Sequence, residues 1–500
     1  MTTGHTTLKI ISLLTLALVG TAETVPLDAA TITASSCSRD DVEAAIRAAR
    51  DGDTVTIPAG TCTWTAGVAI TTPIVLMGAG PDATIIIDHV PGITILVNTQ
   101  AGQFYRLSGF TLRRGTVTKN SNVRAVLYAL GSSHTVRLDH LRFERPSVRA
   151  IHVGGERGDV RGVIDHNEFL MSGGIAIEVE HHAWNGVGNF GDNSWAEPSH
   201  FGTDQFVFIE DNSFRGPEGA HFWALDGQRG GRAVFRYNIV ENGSLSVHGT
   251  ESGGRSRGFR ALELYRNKFH LSLPRGAGQI RAGTGVFFDN DITGRATNIW
   301  PLDNNRSLQN WFWPVCDGSS PFDINDGVVY ASGVHDGPED SESLVDSTKR
   351  WTPNTWRDGG YSVRNVTKGE GSFVTANTAT TITIGRRSGT VLFDPGDAYQ
   401  ILRATICMDA PGSGHGALLS GQDPRPKAPV NQVRDPLYQW NNTINGKAGA
   451  WASDHFNPHI VAGRDYVNGV KPNYTPYAYP HPLTSITRPP SAPTRLRIVP

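Results

Sequence analysis

The chain has 500 residues, 38% of them hydrophobic and 18% charged, with a formal net charge of -2. This is an ordinary globular composition, long enough to bury a large core. The near-neutral balance gives no global pull towards nucleic acid or a membrane surface, so neither is expected as a partner; attraction to a charged polymer must come from a local patch. A monomer is the expected state.

At the N-terminus, Lys9 precedes the apolar run 10–19, and Gly20, Thr21 and Ala22 supply small residues before Glu23. Residues 1–22 therefore read as a secretory signal peptide cut after Ala22; the run is too short to span a bilayer. The expected location is outside the cytoplasm of a bacterium, extracellular or periplasmic. Export permits disulfides, and the four cysteines form an even set. Cys37 and Cys62 bracket one small N-terminal unit, and Cys316 and Cys407 bracket a segment of distinct composition. The pairs 37–62 and 316–407 are expected, with two other connectivities open.

Residues 38–53 predict a helix. Ser38 can cap it with Asp41 three residues on, Val42, Ala45, Ile46 and Ala49 share a face, and Asp51-Gly52 ends it. Beyond it the chain becomes short strands separated by Gly, Asn and Asp. Asn167, Asn212, Asn238, Asn267 and Asn290 each follow a short strand, the last three at intervals of 26, 29 and 23 residues. Ser108 and Leu141 stand at earlier, imperfect positions, and Asn442 at a late one. A period of 20–30 residues built from short strands predicts a solenoid. Asn tolerates the left-handed conformation that a sharp turn needs, and stacked coils let buried amides hydrogen-bond in a ladder.

The helix, the GDTVTIPAG strand after it and the Asn repeat resemble the right-handed parallel β-helix of the pectate lyase-like superfamily, over residues 30–325 and 430–460. The expected fold is all-β: a right-handed parallel β-helix solenoid with an N-terminal capping helix and an inserted small antiparallel β domain. The expected units are the solenoid over 23–326, the insertion over 327–405, a return to the solenoid with a C-terminal cap over 406–484, and a Pro-rich tail over 485–500. Trp351 and Trp356 in the insertion are expected in its core rather than on a sugar-binding face. The superfamily holds polysaccharide lyases, glycoside hydrolases, epimerases, esterases and phage tailspikes, so the fold alone selects no activity.

Side chains alternate inward and outward along a strand. Taking Val153, Val179, Leu225, Val247 and Ala282 as inward puts His152, Glu178, Ala224, Ser246 and Arg281 in one outward column. Gly154, Glu180, Asp226, His248 and Gly283 form the next. Neighbouring turns add Arg229, Arg232, Glu251, Arg255, Arg257 and Arg260, and the long loop 181–202 adds His181, His182, Trp184, Asp192, Trp195 and His200. Each Arg has an equally good reading as a loop-bracing group. A metal shared by His181 and His182 is disfavoured, because adjacent residues on a strand face opposite ways.

A patch of carboxylates, His and Arg suits β-elimination from a uronate, which needs carboxylate neutralisation, a base for the C5 proton and an acid for the leaving oxygen. The resemblance implies Ca²⁺ held by acidic residues of neighbouring coils, which assigns Glu178, Glu180 and Asp226 as metal ligands. Arg281, Arg255 or Arg257 would be the base, with His248 as base or leaving-group acid. Arg229, Arg232, His152, Trp184 and Trp195 would bind the acidic polysaccharide. Eight Lys stand against 37 Arg, which favours an Arg or His base. Hydrolysis by paired carboxylates, C5 epimerisation and a non-catalytic sugar-binding or adhesin solenoid remain alternatives. The NTD string of polygalacturonase-like hydrolases is missing.

Overall fold

The computed structural model describes residues 1, 29–154, 158–181, 192–249, 257–302, 327–357, 361–384, 391–403, 409–416, 432–449, 451 and 460–486. The signal-peptide cleavage site, Cys316, Cys407 and residues 487–500 of the tail lie outside them. No described helix is long and apolar enough to cross a membrane.

The capping helix α1 runs Arg39–Ala48, shorter than predicted. The Ser38 side chain accepts from Asp41 N, and Val42, Ala45 and Ile46 are buried. Arg50 N and Ala30 N then donate to the Asp53 carboxylate, which ends the helix and starts the first coil. Cys37 and Cys62 form the expected disulfide, clamping the helix to the first turns.

Three stacked sheets follow. Among the described residues one has twelve strands, from Thr31–Thr33 to Tyr466–Asn468, a second has eleven and a third has eight. Successive coils pair in parallel, for example Gly162–Asp165 with Val207–Glu210, and a parallel β-helix of the usual right hand results. Inside, Phe143, Phe169, Phe214 and Phe235 stack coil upon coil at 5.2, 4.6 and 5.6 Å. The inserted domain is present as a six-stranded antiparallel sheet from Val329–Val334 to Ala398–Arg403. Trp356 is buried in its core and Trp351 packs against it, as expected.

The asparagine ladder exists, with one correction. The left-handed residue is the one before each ladder position: His140, His166, Asp211, Tyr237, Arg266, Asp289 and Asn441 have φ between 51° and 57°, and the ladder asparagines do not share it. The asparagines act through hydrogen bonds instead. Asn238 Oδ1 accepts from Asn212 N at 2.9 Å and from Asn212 Nδ2 at 3.1 Å, and Asn238 Nδ2 donates to Ile209 O at 2.9 Å. The series runs from Leu141 N through Asn167, Asn212, Asn238, Asn267 and Asn290 to Asn442. Asn238→Ala would orphan buried groups on both neighbouring coils, so a loss on the order of 3 kcal/mol is expected in urea denaturation. The exposed Asn98→Ala should change stability by less than about 0.5 kcal/mol.

In place of a simple C-terminal cap, residues 474–486 run back across the outer face of the twelve-stranded sheet. Tyr474 Oη donates to Glu263 Oε2 at 2.5 Å, Arg236 donates to Tyr477 O and Ala478 O at 2.8 Å, and Arg137 donates to Thr484 O at 2.9 Å. Leu483 enters an apolar cluster with Phe208 and Val234. Glu263 also accepts from Gly202 N at 2.7 Å, so one carboxylate ties this segment to the end of the loop over 181–202.

Burial pushes Glu263 from the ordinary 4.5 up to about 7, against the opposing effects of Tyr474, Gly202 N and Arg236. The folded state therefore binds this proton more tightly than the unfolded chain does. Its stabilisation is complete below pH 4.5 and is lost as pH rises towards 7, by about 3 kcal/mol in all. Glu263→Gln should remove that part of the pH dependence, read as a flatter plot of urea midpoint against pH.

Candidate active site

The eight-stranded sheet carries the charged patch. Strand pairing sets Tyr128, His152, Glu178, Asp226, Ser246 and Gln279 in one outward column. Two residues on, past the strand ends, backbone hydrogen bonds align Gly154, Glu180, Gln228, His248 and Arg281.

Asp226 and Arg281 thus exchange the columns predicted for them. Side chains alternate with a period of two, so a slip of two residues keeps every side chain on its face and leaves no trace in the hydrophobic pattern. Against Ile175–Val179 the register is continuous and sets Asp226 opposite Glu178; against Gly243–Val247 it shifts between Trp223 and Leu225, and Ala224, expected outward, is buried in the core. Arg281 lies beyond the strand Gly278–Ile280 rather than within one. The patch is also covered rather than solvent-facing: His152 and Glu178 are 0% exposed, Glu180 and Arg281 2% and Asp226 4%.

Two groupings result. In the first, His248 Nε2 lies 2.8 Å from Asp226 Oδ1. Burial pushes the Asp226 carboxyl up, but His248, Arg281 and Ser246 outweigh it and hold the group below the usual carboxylate range. The Arg281 guanidinium is held by Ser246 Oγ at 3.0 Å, Val247 O at 3.2 Å and Gln279 Oε1 at 3.3 Å, all neutral acceptors.

In the second, His152, Glu178 and Glu180 converge, with Arg149 and Gln228 on Glu178 and Arg229 on Glu180 at 3.1 Å. Burial raises the Glu178 pKa; His152 and Arg149 oppose the rise, while Glu180 and Asp226 add to it.

The other predicted residues are placed elsewhere. Trp195, on the short helix Asp192–Ala196, is buried between Arg257 and Arg260, each 5.1 Å from its ring, and its Nε1–H donates to Gly258 O at 2.6 Å. It braces the loop and offers no face to a sugar. Arg257 is equally buried in an ion pair with Asp409 at 2.8 Å. Arg232 donates to Ser194 Oγ and to the carbonyls of Ser194, Pro198 and Ser199, and pins the same loop. Burial, with Arg260 and Arg161 nearby, brings its pKa down to about 9. Trp184, His182, Glu251 and Arg255 lie outside the described residues.

A polar cleft of about 780 Å³ beside the patch is lined by His181, His200 and Arg232, which the sequence pointed to, and by Asp159 and Arg161, which it did not. Asp159 lies 3.2 Å from both His134 Nε2 and His181 Nδ1 and pairs with Arg161. Burial opposes its charge, but hydrogen bonds from His134, His181 and Arg161 hold it well below the usual range. It sits in a turn with no periodic signal. Arg149 and Gln228, which hold Glu178, were also missed. A GHG string, found in polygalacturonase-like hydrolases, does occur at Gly414–His415–Gly416, in a short hairpin where His415 is exposed.

The described donors fit calcium poorly. Ca²⁺ takes six to eight oxygens. Here Asp226 faces His248, and the third side chain that converges with Glu178 and Glu180 is an imidazole.

No protein-family model matches the chain, and no curated protein does. Among solved structures, ORF18 of Geobacillus virus E2 is similar at 13% identity and a TM-score of 0.31, over 53% of this chain and 51% of that one. The chain thus spans about half the length of the viral protein. Pectin methylesterase PemA from Erwinia chrysanthemi is similar at 12% identity and a TM-score of 0.27, over 55% of this chain and 81% of that one. A pectin methylesterase in complex with a hexasaccharide gives 12%, 0.27, 56% and 83% for the same quantities. These likenesses assign no activity.

Proposed function

We propose that the protein is a secreted lyase that cleaves an acidic, uronate-containing polysaccharide by β-elimination. The observation that carries this reading is the pairing of His248 with the buried, ionised Asp226 at 2.8 Å. The His248 side chain is 20% exposed against 6% for Asp226, so it is the group of this pair that a polymer lying on the sheet would meet.

In the proposed reaction His248 takes the proton from C5 of the uronate. Asp226 stabilises the imidazolium that forms, and after His248 itself Arg281 and Ser246 help to hold Asp226 ionised. The electron pair left at C5 forms the C4–C5 double bond as the C4 oxygen leaves with a proton returned from the imidazolium or from water. An Arg base is less suited, because a guanidinium rarely gives up its proton. Hydrolysis by Glu178 and Asp226 would need a substrate to reach two carboxyls that are 0% and 4% exposed. The Cys37–Cys62 disulfide suits an oxidising compartment.

The test incubates the purified chain with pectate, alginate, glucuronan and glycosaminoglycans. Ultraviolet absorbance from unsaturated sugar products supports the reading. New reducing ends without that absorbance would replace it with hydrolysis, methanol release from methylated pectin with ester cleavage, and binding without turnover with a non-catalytic solenoid.

A further inference from the structure

We propose that His152, Glu178 and Glu180 form a binding site for one divalent first-row transition-metal ion of the kind that accepts both imidazole nitrogen and carboxylate oxygen, such as Mn²⁺, Fe²⁺ or Zn²⁺. One ligand atom from each residue lies within 4.8 Å of the others, and all three residues are buried. The coils build the site directly. His152 and Glu178 are strand-pairing partners, and Glu180 stands two residues further along the same outward face.

The histidine is the observation that points to a ligand. It is 0% exposed, and neither ring nitrogen makes a hydrogen bond. A buried polar group left in that state costs stability unless something else satisfies it. The ring cannot simply be turned elsewhere, because it lies flat on Tyr128 with centroids 4.4 Å apart and planes 5° apart. Nε2 stands 3.2 Å from Glu180 Oε2, close enough for a hydrogen bond yet not aligned for one. Two ligands bound at about 2.0–2.2 Å to a common ion lie at such a separation, with their lone pairs aimed at the ion rather than at each other.

The surroundings resemble an outer shell. Gln228 takes Glu178 Oε1, and Arg229 donates to Glu180 Oε2 at 3.3 Å and lies 3.1 Å from Oε1, so each glutamate is oriented by a donor. Arg149 on Glu178 and Arg124, 3.7 Å from Glu180, offset the repulsion between the two carboxylates before an ion arrives. The side chains of these two arginines are 29% and 39% exposed, so their charge is partly screened by water and they have room to withdraw when a dication binds. Imidazole in the set selects against Ca²⁺ and Mg²⁺, which prefer oxygen alone.

The test uses the full chain, treated with chelator and then titrated separately with Co²⁺, Mn²⁺ and Ca²⁺. The expected result is one equivalent of Co²⁺ with visible absorption bands typical of nitrogen ligation, one of Mn²⁺, and at least tenfold weaker Ca²⁺. His152→Phe, which keeps a ring on Tyr128, and Glu180→Gln, which keeps the carboxylate's shape, should each weaken Co²⁺ binding at least tenfold. Thermal midpoints without metal show whether each variant is folded; if His152→Phe is not, Glu180→Gln decides. No binding by the parent chain, Ca²⁺ bound as tightly as Co²⁺, or binding unchanged in the folded variants would overturn the site. Polysaccharide cleavage is not the readout, so this proposal and the lyase reading stand or fall separately.

Discussion

His248→Ala is expected to lower turnover of the cleaved polysaccharide by about 10²–10⁴-fold, the usual contribution of a positioned general base. The loss should fall on kcat rather than KM, because in the proposed reaction His248 acts on the reacting proton. Asp226→Asn tests the positioning role separately. It keeps the shape of the side chain 2.8 Å from His248 but removes the charge that stabilises an imidazolium. A fall in kcat with an unchanged thermal midpoint is the expected outcome. If the midpoint falls and the surviving folded fraction works at the parent rate, Asp226 is only a structural group and the proposed chemistry is wrong.

The largest stability effect is expected at Arg236. Its side chain and that of Glu210 are both 0% exposed, with Nη2 to Oε2 at 2.6 Å, and it also donates to Tyr265 Oη and to two carbonyls of the C-terminal segment. Arg236→Ala would leave the Glu210 carboxylate buried without its cation, at a cost of about 3–5 kcal/mol. Chemical denaturation measures the loss. Limited proteolysis should show cleavage within 474–486 at protease levels that spare the parent chain. The double change Arg236→Met, Glu210→Leu should recover most of the stability, since an apolar pair pays no desolvation penalty. It should not restore protection of the segment, whose carbonyls still lack their donor.

The fold was legible because its strongest signals are local or repeated. Ser38 and the Val42, Ala45, Ile46 face specify α1, and the spacing of the asparagines specifies the coil. Which residue of the turn is left-handed was not legible. His, Asp, Tyr and Arg all occupy that position, and their shared φ comes from the coil geometry rather than from residue preference. The members of the candidate site were mostly legible from alternation, but their neighbours were not. Asp226 rather than Ala224 stands opposite Glu178, and only strand pairing reveals such a slip. Burial of the patch was equally hidden. Asp409, which holds Arg257, arrives from 152 residues away, and no pattern in the chain links the two. Residues up to 484 are expected in the solenoid and its C-terminal cap, yet the backbone carbonyls of Ala478 and Thr484 meet arginines on coils more than 240 residues earlier.

The asparagine series passes from Asn290 to Asn442 without losing a step, although the two are 152 positions apart in the chain. On the far side, Tyr438 pairs with Val286 as though the two strands were neighbours in the chain. A nascent chain leaving the ribosome can therefore wind its coils one upon another as far as Asn290, each templated by the last, and must then wait. The next coil has nowhere to be copied from until the whole antiparallel sheet has been synthesised and its two ends have come back together. Until then the growing edge of the solenoid stays open, with unpaired strands that could recruit another molecule. Quick independent folding of the insertion is what shortens that exposure, so a lesion in its core should appear first as aggregation during synthesis rather than as instability of the finished protein.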